Sequence, residues 1–179
     1  MKISRLYSNK SDLFEPIDFN EGLNVVLAEI RLPENRDKDT HNLGKSTLAR
    51  VLDFCFLAKK SPNLFLFKHL DLFQDFEFFL ELEIAPASFL TIKRTVNEAS
   101  KPSFKKHGSR NQNFADQSDE VWDHLSIPFG RAVKMLDAFI SWNALKPWNY
   151  RKGIGYLLRS QEDYSEVFKL KKFAGKHAD

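Results

Sequence analysis

The sequence predicts an α/β fold: a mixed sheet, its strands arriving mostly as antiparallel pairs, packed against a helix that opens on a phosphate-binding pattern. Apolar residues alternate from Phe76 to Ile84 and again over 89–96, with a turn between them, as in a hairpin. Asn42-Leu43-Gly44-Lys45-Ser46-Thr47 precedes Leu48, Val51, Leu52, Cys55 and Phe56, which recur at helical spacing. The apolar run at 23–28 precedes that pattern, so strand, loop and helix follow in the order a phosphate loop requires.

The elements follow in order. Residues 2–7 and 14–19 alternate as strands, and Asn20-Glu21-Gly22 turns the chain into the run at 23–28, read as a buried strand. Residues 29–38 are polar and charged and carry Pro33, which predicts an exposed flap beside the loop. After the helix, Lys59-Lys60-Ser61-Pro62-Asn63 is a stop signal. In the strand at 76–84, Phe76, Phe78, Leu80, Leu82 and Ile84 share one face, and Glu77, Glu81 and Glu83 are expected on a solvated one. Residues 101–113 are polar and basic and read as loop. A helical stretch is expected from Asp119 through Trp122 and Leu125, an amphipathic helix over 131–142, and a strand over 153–159 leading into Ser160-Gln161-Glu162-Asp163.

The Gly-Lys-Ser pattern carries definite chemistry. The Lys45 ammonium would reach the β- and γ-phosphates of ATP, the Ser46 hydroxyl would ligate Mg²⁺, and the main-chain N–H groups of residues 42–47, Thr47 included, would cradle phosphate oxygens. Two positions depart from G-x-x-x-x-G-K-[ST]. Asp39 stands where the first glycine belongs, and a carboxylate there must face away from phosphate. Asn42 is the better substitution, since asparagine tolerates a left-handed backbone. The plainer reading is an ordinary helix N-terminus at which Ser46 only caps.

Length and composition bound the remainder. With 179 residues and 17 phenylalanines the chain can bury one sizeable core, so residues 1–179 are read as a single domain. A net charge of +3 permits a nucleic-acid partner without demanding one. The single cysteine, Cys55, falls on the apolar helix face and excludes an internal disulfide. The sequence has neither a signal-like leader nor a membrane-length apolar run, so a cytoplasmic protein without a membrane partner is expected. Lys101, Lys105, Lys106, His107 and Arg110 surround Phe104, a mixture suited to phosphate contact with base stacking; the competing reading is a solvated basic loop. Lys169, Lys171, Lys172 and Lys176 form a second basic tract. His41 has no partner at ligand spacing and reads as a solvent-facing side chain. Trp142, Trp148 and Tyr150 read as packing around Pro147.

These residues together resemble the N-terminal lobe of an ABC-type P-loop ATPase head, with its antiparallel β-subdomain, and more closely the branch typified by SMC, RecN and RecF proteins. Phe19, Gly22, Leu23, Asn24 and Val25 are similar to that branch's opening before the phosphate loop. Arg159-Ser160-Gln161 resembles its Q-loop, which implies that Gln161 contacts Mg²⁺ and the attacking water. The whole chain is similar to the start of a bacterial group of SMC-like ATPases, some of which lie in phage-defence loci. The resemblance implies Lys45 and Gln161 as catalytic residues, and a coiled coil and a C-terminal lobe of the same head following this chain. It also implies a homodimer of heads, DNA as a partner, and an effector nuclease or defence partner. A Walker B carboxylate pair, a signature helix and a switch histidine are not found in this sequence. Hydrolysis is therefore expected only from a completed head. The alternative is a nucleotide-independent assembly module with an altered phosphate loop.

Overall fold

The computed structural model describes residues 1–26 and 45–158. Its strands are β1 (Lys2–Ser8), β2 (Ile17–Asp18), β3 (Glu77–Ala85), β4 (Ser88–Thr95) and β5 (Ser103–His107). They form one five-stranded sheet in the order β2-β1-β3-β4-β5. Every pairing is antiparallel. The fold is thus mixed α/β as expected, while the described strands are antiparallel throughout. The helices are α1 (Lys45–Cys55), α2 (Phe65–Lys68), α3 (Leu70–Phe73), α4 (Phe129–Ile140) and α5 (Tyr150–Leu157).

The β3–β4 hairpin follows directly from its alternation. Leu80 lies opposite both Ile92 and Leu6, and Leu82 lies opposite Leu90. Pro86 presets the first corner of the turn and Ala87 takes the positive φ of 53° at the second. One sheet face, with Leu6, Phe78, Leu80, Leu82, Leu90, Ile92 and Phe104, packs with Val51, Leu52, Phe54 and Cys55 of α1 and with Ala132, Leu136 and Ile140 of α4. Each Val, Leu, Ile or Phe among them, withdrawn from water, contributes about 1.5–3 kcal/mol. The opposite face carries a smaller cluster of Tyr7, Phe79, Phe114 and Trp122, with Tyr7 stacked on Phe79 at 4.8 Å. Glu81 shares that face, so the side expected to be solvated is covered.

Five elements differ from the sequence reading. The strand at 14–19 shortens to Ile17–Asp18, because residues 10–14 close a turn through Phe14 N–H to Lys10 O, and Pro16 follows. Residues 23–26 form no strand, and Leu23 and Val25 are 88% and 67% exposed. Gly22, at φ 88°, turns the chain, and the Asn24 side chain ties the turn by accepting from Asn20 N–H and donating to the oxygens of Asn20 and Gly22. The basic loop contains β5, because Phe104, opposite Ile92, is fully buried between its lysines. Residues 153–157 are helical rather than extended: Tyr150 and Ile154, one turn apart, face the core, and the Asn149 side chain accepts from Arg151 N–H at the helix start. The stretch from Asp119 winds only one 3-10 turn, Asp119–Val121, before Trp122 extends.

The helix over 131–142 is present as α4 and ends where Ser141 takes a left-handed conformation. Cys55 is buried as expected. Tyr150 is fully buried, whereas Trp148 is 63% exposed and is not packing. Among the described residues no helix is long and apolar enough to cross a membrane.

Candidate functional site at the start of the first helix

The helix after the phosphate-loop pattern starts at Lys45, and Ser46 and Thr47 in its first turn are exposed. The first turn contains no acidic residue. Its N–H groups have no intrahelical acceptor, and the helix dipole adds partial positive charge there. The C-terminal half is the anchored part: Val51, Phe54 and Cys55 are at most 1% exposed. This arrangement presents an exposed first turn on a helix held from its buried end. Asn42, Leu43 and Gly44, with Asp39 and His41, lie outside the described residues, as do Gln161 and the lysines from 169 onward. Of the expected nucleotide-binding set, the structure therefore locates Ser46 and Thr47 on one turn and the backbone of Lys45 beside them.

The expected nucleic-acid set is largely engaged within the chain. Lys101 pairs with Glu98 at 2.7 Å and Lys105 with Asp123 at 2.8 Å. Burial acts to raise the Asp123 carboxyl, and the Lys105 ammonium and the Lys106 N–H outweigh it, holding the group below its usual range. The Lys106 ammonium lies 4.3 Å from the centre of the Phe139 ring. Arg110 donates to the Ser4 hydroxyl at 3.0 Å and to the main-chain oxygen of Phe19. Phe104 has no exposed face on which a base could stack. The picture of a free basic loop around an aromatic platform is corrected accordingly.

Glu81 is the largest departure at a candidate chemical residue. Expected in solvent, its side chain is fully enclosed, and it accepts from Asn111 N–H at 3.0 Å and Gln112 N–H at 3.2 Å. His107 Nε2 lies 3.8 Å from it and 2.8 Å from Thr91 Oγ1, while His107 Nδ1 donates to Ser109 O at 2.8 Å. A carboxylate so enclosed and so bonded holds the chain at Asn111 and Gln112 against the sheet. The signal in the sequence was slight: Phe79, two residues earlier, places an aromatic on the supposedly wet face.

Sequence reasoning also missed the polar groups at the far end of α1. Arg94, 1% exposed, donates to the main-chain oxygens of Phe54 and Ala99. Burial lowers its guanidinium to about 10. Tyr150 and Arg151 converge on Phe56 O, and Arg151 also pairs with Asp53 at 2.7 Å. Only its place between Ile92 and Val96, at alternate positions of the strand, hinted that Arg94 would be buried. Among the described residues no group of three or more His, Cys, Asp or Glu side chains could hold a metal ion. Compared with family models, with curated proteins and with solved structures, the chain matches none.

Proposed function

We propose that this chain is the nucleotide-binding N-terminal lobe of an SMC/RecN/RecF-like ABC-type ATPase head. The observation that carries the reading is the exposed, acid-free first turn of α1, which begins within Gly44-Lys45-Ser46-Thr47 and is held from its buried end against an antiparallel sheet. Those features fit Mg-ATP. N–H groups at a helix start favour phosphate oxygens, Ser46 offers a hydroxyl to the cation, and Lys45 belongs at the phosphates by its place in the motif. Bound Mg²⁺ would neutralise phosphate charge; the chain's own residues bind and orient the phosphates. The remaining hydrolytic groups are assigned to the C-terminal lobe and to a second head. The heads act on DNA in repair, chromosome maintenance or phage defence, with a nuclease or other effector.

Calorimetry with MgATP tests the reading on the wild-type chain and the Lys45→Ala variant. Saturable binding lost in the variant supports it; equal heats from both exclude it. A nucleotide-independent assembly module is the second reading, and one observation favours it. The run expected to lead into the phosphate loop, at 23–26, is exposed and unpaired among the described residues.

A further inference from the structure

The start of α5 meets the end of α1 through polar contacts. Tyr150 Oη donates to Phe56 O at 2.9 Å, and Arg151 donates from Nη1 to the same oxygen at 3.2 Å and from Nη2 to Asp53 Oδ1 at 2.7 Å. Tyr150 N–H, in turn, donates to Asp137 Oδ1 on α4 at 2.6 Å. The Tyr150 hydroxyl and the Arg151 guanidinium thus supply two donors to the carbonyl of Phe56, the residue after the last of α1. Two directional bonds on one oxygen and an ion pair one turn back leave α5 little freedom to slide relative to α1. Apolar contact alone would permit such sliding, since dispersion has no preferred direction.

We infer that Tyr150 and Arg151 latch α5 to α1, so that a displacement of α1 is passed to α5. A ligand at the opposite end of α1 would then be felt at α5; this consequence, unlike the latch itself, rests on the nucleotide reading.

Amide hydrogen exchange of the full chain, followed by mass spectrometry, tests the latch without any ligand. Ala49→Gly weakens α1 away from the contact. In the wild-type background it should speed exchange of residues 150–157 about fivefold, the factor that glycine in place of alanine carries in a helix interior. In Arg151→Lys or Tyr150→Phe backgrounds, which retain charge or ring, that response of α5 should vanish. Unchanged α5 exchange in Ala49→Gly overturns the inference, and so does an equal acceleration of β3, which reports global loosening. MgATP gives a separate arm. Joint protection of α1 and α5 supports both readings, and protection of α1 alone overturns the latch while nucleotide binding stands. No protection anywhere counts against nucleotide binding, and the Ala49→Gly comparison still decides the latch.

Discussion

Arg94 donates to the main-chain oxygen of Phe54 while its guanidinium lies 4.2 Å from the centre of the same residue's ring. One cation thus closes the end of α1, binds the chain after β4 through Ala99 O, and fills the space between two aromatic rings, since Phe129 flanks it at 5.3 Å. A buried charge is expensive unless its donors are used, and the structure uses them on carbonyls rather than on a carboxylate.

Arg94→Met should therefore lose more than its volume suggests. It keeps an apolar stem but leaves Ala99 O without its donor, at about 1–3 kcal/mol, and Phe54 O with Leu57 N–H alone. Urea unfolding should show a loss of that order, and Arg94→Lys should recover part of it by reaching one carbonyl. A midpoint unchanged in Arg94→Met would contradict the network.

Glu81 makes a local prediction. In Glu81→Ala, Asn111 N–H and Gln112 N–H lose their acceptor, and the chain around them should loosen from the sheet. Limited trypsin digestion at Arg110 reads this directly: faster cleavage is expected than in wild type, with Glu81→Gln in between because its amide oxygen still accepts. Equal cleavage of all three proteins would show that this carboxylate does not hold the segment.

How far these features were legible in the sequence depended on the range of the interaction. The β3–β4 hairpin and α4 were readable because their buried residues repeat at periods of two and 3.6 within one element. The burial of Glu81 was not, because its donors come from Asn111 and Gln112, beyond β4 and β5. The basic residues around Phe104 concealed a strand because a single buried aromatic leaves too short an alternation to register. Tyr150 to Leu157 was ambiguous for a different reason. A short apolar run with two glycines suits strand or helix alike, and the decision fell to Asp137 and Asn149, which supply acceptors to the first N–H groups of α5. At the candidate site the sequence signal lies mainly in residues 42–44 and 161, outside the described residues; the structure adds the exposed turn at Ser46 and Thr47.

Gly153 brings the α5 backbone close to Trp142 and Leu145. A Cβ there would lie 2.6 Å from Trp142 Cζ3 and 2.9 Å from Leu145 Cδ1. Gly153→Ala should destabilise by about 1–3 kcal/mol despite alanine's better helix propensity, because overpacking outweighs the backbone gain. Thermal unfolding should show a lowered midpoint, partly restored by Trp142→Leu. A raised midpoint in Gly153→Ala alone would mean that the indole moves aside freely.

The internal pairings of Lys101, Lys105 and Arg110 predict little DNA affinity from this region. Reversing Lys105 and Lys106 together to Glu should change retention of duplex DNA by the chain little, even at low salt, where phosphate contacts weigh most. The carboxylate introduced by Lys105→Glu would also face Asp123, so stability should fall slightly, within the range of an exposed pair, about 0–1 kcal/mol. A steep loss of DNA binding with a reduced salt slope would restore this region as a nucleic-acid surface.

Alkaline stability follows from three buried acids and one buried base. Burial pushes the Cys55 thiol up from 9.0 to about 12 and raises the hydroxyls of Tyr7 and Tyr150 above their usual range. Each of these groups holds its proton in the folded state at pH values where the unfolded chain releases it. Their contribution is thus intact below the unfolded value and is lost as pH climbs toward the folded one. Arg94 acts in the opposite sense above about 10, where the folded chain sheds a proton that the unfolded chain keeps. Between pH 9 and 10 Cys55 is the leading contributor to the loss. Above that the two tyrosines add to the fall, and together with the thiol they outweigh the single guanidinium. Urea midpoints measured from pH 8 to pH 11 should therefore decline in wild type. In Cys55→Ala they should start slightly lower, because a small cavity is opened, and decline less between pH 9 and 10. Parallel curves for the two proteins would show that the thiol is not shielded as the core packing requires.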